Sequence, residues 1–202
     1  MMTLSELRRR REQQYLASET PWDTGITPPE VESFWAGRAD GALAIDLGCG
    51  TGTNAAYLAR RNDRVIGVDF AFTGLALAQE RLARLPDVRN RIDLIQADVA
   101  RLPLANLRAG YILDIGCFHG ILPEDRPLYA QSVLANLQRG GYYHLYGFDR
   151  PDPADVPAGL PAWQGLGPDE VITRFAPTLT VIDIAVGEER ARTTRWYLLQ
   201  RR

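Results

Sequence analysis

The sequence has no lysine, and all 23 of its basic residues are arginines. Without lysine, the chain has no amine to form a Schiff base with pyridoxal phosphate and no phosphate-loop lysine to lie beneath a nucleotide. Serine is scarce too: none of the serines lies in a G-x-S-x-G turn, the strand-to-helix turn that carries a hydrolase nucleophile. These absences exclude pyridoxal chemistry on a lysine and disfavour a serine hydrolase.

Cysteine is limited to Cys49 and Cys117. Two cysteines are too few for a disulfide scaffold, and neither has the CxxC or histidine spacing of a metal site. No apolar run approaches the ~20 residues that cross a bilayer, and the N-terminus has no apolar signal-peptide core. We therefore expect a cytoplasmic protein in a reducing compartment, with no metal and no membrane partner.

The balance of charge disfavours nucleic acid as a partner. The formal net charge is −2 over 202 residues, which gives no general attraction to a polyanion. The one basic run, residues 8–11, lies in the segment LSELRRRREQQYL. We interpret this run as the solvated face of an N-terminal helix.

Short β-rich runs alternate with longer amphipathic runs along the chain. Strands are predicted over residues 43–47, 64–68, 92–96, 111–116, 142–147, 179–186 and 193–199. Helices are predicted over residues 54–61, 73–85, 126–137 and 169–175, where apolar residues recur at three- and four-residue spacing. This alternation indicates parallel strands joined by right-handed crossovers, hence an open α/β sheet with helices on both faces.

The last two strands depart from the alternation. Only GEERAR, residues 187–192, separates them, which is too short for a crossover helix, so they are predicted to pair antiparallel. The predicted fold is therefore α/β and Rossmann-like: a doubly wound seven-stranded sheet, mostly parallel with an antiparallel last strand. Residues 148–168 are rich in Pro, Gly and Asp and are predicted to form a long loop at the ligand-binding edge of the sheet.

A glycine-rich turn follows the first predicted strand in ALAIDLGCGTGTNAAYLA, residues 42–59. Glycines at 48, 50 and 52 let the backbone approach a ligand closely and leave helix N-terminal amides available for an anionic group. A dinucleotide fingerprint reads G-x-G-x-x-G, whereas here the third glycine comes one residue early and Thr53 takes its place. The spacing favours a nucleoside without a pyrophosphate, although a tight strand-to-helix turn alone would also favour glycine.

Acidic residues end the first three predicted strands. Asp69, in RVIGVDF, follows Gly50 by 19 residues and is placed to accept both hydroxyls of a ribose; the alternative is a solvated strand-end aspartate. Phe70 offers a flat ring to a base, or packs in the core. Asp98 and the Val99 amide, after the third strand, match the donor and acceptor edge of adenine. With Asp46, these residues predict an adenosine site.

These motifs resemble those of a known family. AIDLGCGTG, VIGVDF and IQADVARLP are similar to the successive cofactor motifs of class I S-adenosylmethionine-dependent methyltransferases, over about residues 42–147. The resemblance implies a seven-stranded sheet with a reversed last strand, and S-adenosylmethionine as the cofactor, with S-adenosylhomocysteine as the product. The implied cofactor residues are Gly48, Cys49, Gly50 and Gly52 at the methionine portion, Asp46 near its amino group, Asp69 at the ribose, and Phe70, Asp98 and Val99 at the adenine.

Two further segments resemble the thiopurine, thiol and halide methyltransferases within that family. DIGCFHGI is similar to a string at the end of their fourth strand, with Gly120 where a second histidine is usual, and it implies Gly116 beside the cofactor. ETPWDTGITPPEV, residues 19–31, resembles their TPWD-x-G lid, in which Trp22 would cover the methionine end; the alternative is a surface aromatic that packs on the core. His119 is the candidate general base or a structural histidine, and His144 is predicted to make a structural hydrogen bond.

The sequence thus predicts a helical lid over residues 1–35 and a single methyltransferase domain over residues 36–202. The predicted activity is S-adenosylmethionine-dependent methyl transfer to a small-molecule acceptor, such as a thiol or other soft nucleophile. A non-catalytic module that binds S-adenosylmethionine is the alternative. A nicotinamide-dependent oxidoreductase is disfavoured by the early third glycine.

Overall fold

The computed structural model describes residues 3–104, 106–156, 161, 163–167 and 169–202. The chain divides into two compact units, an N-terminal unit that ends at Val99 and a C-terminal unit that begins at Ala100. The predicted lid boundary at residue 35 and the single domain over residues 36–202 stay predictions. Within the described ranges, no helix is both long and apolar enough to span a bilayer.

The N-terminal unit contains three parallel strands and four α-helices. Its elements are α1 Leu4–Leu16, α2 Pro29–Trp35, β1 Gly41–Leu47, α3 Thr53–Leu58, β2 Asn62–Asp69, α4 Phe72–Ala83 and β3 Ile92–Gln96. Strand β2 pairs with β1 on one side and β3 on the other. The β2 residues from Val65 to Asp69 are all buried, as expected of a central strand in a parallel sheet.

Helix α1 is mostly exposed and is tied to α4 by a carboxylate. Helix α4 has Ala71 at its N-cap, which supplies no side-chain cap. Glu12 of α1 takes that role, since its carboxylate accepts the Phe72 N–H at 2.5 Å and the Thr73 N–H at 2.9 Å. Burial raises the pKa of Glu12, but these hydrogen bonds outweigh it and the pKa lies below its ordinary value. An anion at a helix N-terminus thus replaces the missing local cap.

The described residues of the C-terminal unit form the other four strands and two α-helices. Its elements are β4 Ala109–Ile115, α5 Arg126–Asn136, β5 Leu137–Phe148, α6 Glu170–Phe175, β6 Leu179–Glu189 and β7 Arg192–Arg201. Strands β4 and β5 are parallel, and β7 lies antiparallel between β5 and β6. The seven strands follow the order β3-β2-β1-β4-β5-β7-β6. The predicted fold, mostly parallel with a reversed last strand, is confirmed.

The terminal hairpin is tighter than the sequence pattern suggests. Strand β6 extends to Glu189 and strand β7 begins at Arg192, so that only Arg190 and Ala191 form the turn. Both turn residues have positive φ, 53° and 57°, as the twist of a two-residue hairpin requires. The predicted antiparallel pairing is confirmed.

A short loop segment after β5 folds back on the strand. Asp149 forms an isolated bridge with Leu166, and a 3₁₀ helix occupies Pro153–Asp155. Of the loop predicted over residues 148–168, positions 157–160, 162 and 168 lie outside the described residues. The described part contains no α-helix or strand apart from the last residue of β5.

A buried arginine holds this loop segment in place. The Arg126 side chain is 1% exposed, and its Nη1 lies 2.6 Å from the Glu170 carboxylate. Its Nη2 donates to the backbone carbonyls of His119, Trp163 and Gly165 at 3.3, 3.3 and 3.0 Å. Because guanidinium is a rigid fork of donors, a single side chain joins the turn after β4 to the loop before α6.

We predict that Glu170→Gln destabilises the fold strongly. Burial raises the pKa of Glu170, but bonds from Arg126 and its neighbours outweigh it, so the carboxyl is ionised at neutral pH. Removing that charge leaves the Arg126 cation buried without its anion, and the free energy of unfolding should fall by about 3 kcal/mol. Urea denaturation at pH 7 measures the change.

Asp87→Asn is the matched control. Asp87 pairs with Arg60 at 3.0 Å, but both side chains are about half exposed. Exposed ion pairs contribute at most about 1 kcal/mol, so this variant should unfold close to the wild-type denaturant concentration. Equal effects of the two substitutions would contradict the assigned role of the buried pair.

Candidate functional site

The glycine turn after β1 is anchored to the end of β2. The amides of Gly48 and Cys49 donate to the Val68 carbonyl at 2.8 and 3.0 Å. The Cys49 sulfur lies about 3.0 Å from the place that a Cβ on Gly67 would occupy, so Cys49 packs against the neighbouring strand. The turn is therefore a rigid extension of the sheet.

Two glycines of the turn have different spatial reasons for lacking a side chain. A Cβ on Gly50 would lie 2.9 Å from the Tyr15 hydroxyl, and Gly50 has φ +52°. A Cβ on Gly52 would lie 3.1 Å from the Cβ of Ala78 in α4. Gly50 thus allows a polar group to approach the turn, whereas Gly52 allows α3 and α4 to pack closely.

Asp69 joins the turn to the end of β2. Its carboxylate accepts the Gly50 N–H at 2.9 Å and the Ala71 N–H at 2.8 Å. Burial raises the pKa of Asp69 above its ordinary value, against these backbone hydrogen bonds. A carboxylate has about four acceptor positions, so the backbone amides leave capacity for a ribose hydroxyl. The residues present therefore fit a nucleoside lying across the turn.

The segment before α2 is bound to the same turn. The Thr51 hydroxyl donates to Asp23 at 2.7 Å, and the Arg81 guanidinium lies 3.7 Å from that carboxylate. Sequence analysis missed Asp23 as a contact, although it belongs to the TPWD-x-G string that was singled out. The bond between Thr51 and Asp23 places residues 19–25 beside the glycine turn.

Trp22 lies at the surface of this segment, with 41% of its area exposed. Its ring meets the Tyr15 ring edge-on at 6.0 Å, and the Arg11 guanidinium lies 4.5 Å from its centroid. Tyr15 itself is buried, and burial, with the charge of Asp69, raises its pKa well above the ordinary value. Tyr15, which sequence analysis also missed, is thus a neutral phenol beside Trp22 and Gly50.

A cavity of about 520 Å³ opens between this segment and α4. Its lining residues are Tyr15, Ser18, Thr20, Asp23, Thr51, Leu77, Glu80, Arg81, Arg84 and Leu85. None of the twelve predicted site residues is among them. The cavity therefore lies to the side of the predicted adenosine position.

The remaining predicted cofactor residues of this unit follow the strand ends. Asp46 is buried near the end of β1, and Phe70 is half-buried directly after β2. Asp98 is half-buried, and Val99 begins a 3₁₀ helix, Val99–Arg101. Their roles as cofactor contacts stay predictions.

In the C-terminal unit, Gly116 and His119 share the turn after β4. Gly116 has φ +81°, and a Cβ there would lie 3.3 Å from Cε1 of His119. His119 is 7% exposed, and its ring meets the Phe148 ring edge-on at 5.3 Å. The turn packs tightly around the imidazole, and the roles of Gly116 and His119 stay predictions.

His144, by contrast, is a core residue of β5. Its Nδ1 lies 2.8 Å from the Tyr111 hydroxyl, which is the structural hydrogen bond predicted from the sequence. Burial lowers the pKa of His144 to about 4. His144 is therefore neutral at physiological pH.

We predict that nuclear magnetic resonance of ¹³C-labelled histidine rings shows one signal that titrates with a midpoint at about 4. The chain has two histidines, so His119→Gln assigns both signals. Because the unfolded chain binds this proton near pH 6.5, His144 contributes stability above that pH, which is lost as pH falls towards 4. A His144 midpoint near 6.5 would contradict burial in the neutral form.

Comparison with known proteins shows that this chain is similar to methyltransferases. Residues 44–141 match the family described as a methyltransferase domain. A 2-heptyl-1-hydroxyquinolin-4(1H)-one methyltransferase of Mycobacteroides abscessus is 32% identical over 136 residues, which cover 67% of this chain and 59% of that protein. A probable thiol methyltransferase 2 of Arabidopsis thaliana is 27% identical over 76% of this chain and 66% of its own length.

A solved structure supports the fold. The N-methyltransferase NodS from Bradyrhizobium japonicum WM9, in complex with S-adenosyl-l-homocysteine, has a TM-score of 0.74 and 17% identity, and covers 95% of this chain and 97% of that chain. At that identity the likeness extends to the fold alone. This chain spans about 59% of the first curated relative that it matches. The match of residues 44–141 to a methyltransferase domain agrees with the class predicted from the cofactor motifs.

Proposed function

We propose that this chain transfers a methyl group from S-adenosylmethionine to a small-molecule acceptor. The observation that carries the proposal is the geometry at Asp69, whose buried carboxylate holds the Gly50 amide and keeps acceptor positions for a ribose. The methyltransferase domain over residues 44–141 and the methyltransferase relatives support the same activity.

The N-terminal unit supplies the residues that would hold the cofactor. Asp69 would accept the ribose hydroxyls, and the turn at Gly48 and Gly50 would lie beneath the methionine portion. The Tyr15 hydroxyl, directly over Gly50, would add a neutral donor there. Trp22, half-exposed above Tyr15, would exclude water from this end when the cofactor is bound.

Methyl transfer requires the protein mainly to position the cofactor and the acceptor. S-adenosylmethionine supplies a methyl group that its sulfonium already activates for in-line displacement. The chain's own residues have to orient an acceptor and keep water away from it. A soft anion such as a thiolate needs no general base, whereas a hydroxyl or amine acceptor needs one. For those acceptors His119 would take the proton.

We infer a soft or aromatic small nucleophile as the acceptor. His119 packs on Phe148, and Phe148 meets Tyr146 at 5.8 Å, so the carboxyl end of β5 is an aromatic surface. Two relatives are named for a hydroxyquinolinone and a thiol, one an aromatic acceptor and the other a soft one. We propose that nucleic acid is not an acceptor, because the chain carries a formal net charge of −2.

Titration calorimetry with S-adenosylmethionine and S-adenosylhomocysteine tests the cofactor site. We expect Asp69→Ala to weaken both by at least about tenfold, because each hydrogen bond to a charged group contributes roughly 1.5–3 kcal/mol. Asp87→Asn, an exposed carboxylate change in the same unit, should bind both like the wild type. If the wild type binds neither ligand, the proposed function is wrong.

A turnover assay then tests catalysis. The wild type is incubated with S-adenosylmethionine and thiophenol, hydrosulfide or a hydroxyquinolinone, and S-adenosylhomocysteine is measured. We expect the wild type to form S-adenosylhomocysteine with at least one thiol. At a cofactor concentration that saturates the wild type but not Asp69→Ala, the variant should lose turnover. Tight cofactor binding with no turnover on any acceptor would instead favour the non-catalytic module.

A further inference from the structure

Three buried ionisable side chains beneath the His119 turn are neither cofactor nor acceptor contacts in the proposed function. Asp114 lies one residue before the end of β4 and is fully buried. Tyr129 of α5 and Tyr143 of β5 are also fully buried. A carboxyl group in such a place is costly unless hydrogen bonds compensate for its lost hydration.

Asp114 receives hydrogen bonds on both of its oxygens. The Cys117 N–H donates to Oδ1 at 2.8 Å, and the Phe118 N–H donates to Oδ2 at 3.0 Å. The Tyr129 hydroxyl donates to Oδ2 as well, and lies 3.0 Å from the Tyr143 hydroxyl. Every donor in this chain of groups therefore suits an ionised carboxylate.

The same turn is held from its other side by a cation. Arg126 donates to the carbonyl of His119 at 3.3 Å and to the carbonyl of Ile121 at 3.1 Å. At the start of the 3₁₀ helix Phe118–Gly120, backbone amides thus donate to the Asp114 carboxylate. Within and just after this helix, backbone carbonyls accept from the Arg126 guanidinium. The backbone on either side of His119 is therefore restrained while the Asp114 carboxylate and the Arg126 guanidinium are both charged.

We propose that Asp114 is a positioning residue: its ionised carboxylate fixes the turn that carries His119, and protonation of Asp114 loosens that turn. Its effect on methyl transfer rests on the proposed function, whereas its effect on the turn does not. Protonation places a hydrogen on one carboxyl oxygen, which then accepts poorly and donates to the Tyr129 oxygen. The chain from Asp114 through Tyr129 to Tyr143 reverses its direction, and the bond from the Phe118 amide weakens.

The groups around Asp114 place this change near neutral pH. Burial raises the pKa of Asp114 to about 7, against hydrogen bonds from Tyr129, Cys117 and Phe118. The titratable groups that face it are Tyr129 of α5 and Tyr143 of β5, and the Cys117 thiol of the turn acts on both tyrosines. Burial raises the pKa of both tyrosines well above the ordinary value, so they stay neutral and act as donors.

Rising pH has opposite effects on the free energy of unfolding and on the order of the His119 turn. Between the unfolded pKa of Asp, 3.8, and about 7, the folded chain holds a proton that the unfolded chain has lost. The stability that this group contributes is therefore present at low pH and is lost as pH rises through 7. The turn, in contrast, becomes better ordered over that same rise, because the carboxylate forms.

Selective ¹⁵N-cysteine labelling tests the turn without any acceptor or cofactor. The chain has two cysteines, so the spectrum has two amide signals, which Cys49→Ala assigns. We expect the Cys117 amide shift to titrate with a midpoint near 7 in the wild type and to show no such step in Asp114→Asn. Tyr129→Phe, which removes one donor to the carboxylate, should move the midpoint to higher pH.

Tyr111→Phe is the matched control. Tyr111 is a buried tyrosine of β4 as well, but its hydroxyl contacts His144 instead of Asp114. The Cys117 midpoint should be the same in this variant as in the wild type. If Asp114→Asn does not fold, the test is the Cys117 midpoint in Tyr129→Phe compared with that in Tyr111→Phe. Equal midpoints in these two variants would contradict the proposal.

Methyl transfer to a hydroxyquinolinone, a hydroxyl acceptor from which His119 would take the proton, provides the second readout. We expect Asp114→Asn to lower kcat about tenfold at pH 8, with an S-adenosylmethionine affinity within about twofold of wild type, and to flatten the kcat profile between pH 6 and 8. A Cys117 amide that does not titrate in the wild type, or an unchanged kcat in Asp114→Asn, would overturn the inference. Normal titration without methyl transfer to any acceptor would instead overturn the proposed function.

Discussion

Hydrogen bonds from backbone amides to buried strand-end carboxylates hold both turns of the candidate site. Asp69 accepts the amides of Gly50 and Ala71, and Asp114 accepts those of Cys117 and Phe118. Where a buried parallel strand ends, the next amides have lost their strand partners and must find acceptors. An aspartate at the strand end meets that need, and in doing so it fixes the backbone against which the proposed ligand would lie.

The cost of burying these carboxylates explains much of the surrounding architecture. Burial raises the pKa of both aspartates, so each depends on hydrogen-bond donors to stabilise its charged form. Elsewhere, Glu12 caps α4 and Arg126 fills the gap between two loops, and each side chain meets several backbone groups at once. Ions thus replace local caps and regular pairing at the places where regular structure stops. The same places carry the residues proposed to bind cofactor and acceptor.

The repeating elements and the glycine turn were predictable because their signals are local. The apolar spacing of α4, the buried run of β2 and the short GEERAR connection each reflect neighbours within a few residues. The place of Asp69 at the end of β2, beside the glycine turn, was also predictable from the strand-turn-helix spacing. The contacts of Tyr15, Asp23 and Glu12 were not, because their partners lie 28 to 61 residues away or meet only through packing.

The sequence by itself determined the α/β class, the reversed last strand, and the turn at which a nucleoside is expected, since periodicity and turn chemistry depend on adjacent residues. Only the tertiary structure decided which charges are buried together. Arg126 and Asp114 look like ordinary polar residues in the sequence, yet folding places one against backbone carbonyls and the other against backbone amides of a single turn. A charge changes its energetic role when water is removed from it, and burial is set by elements distant in the chain.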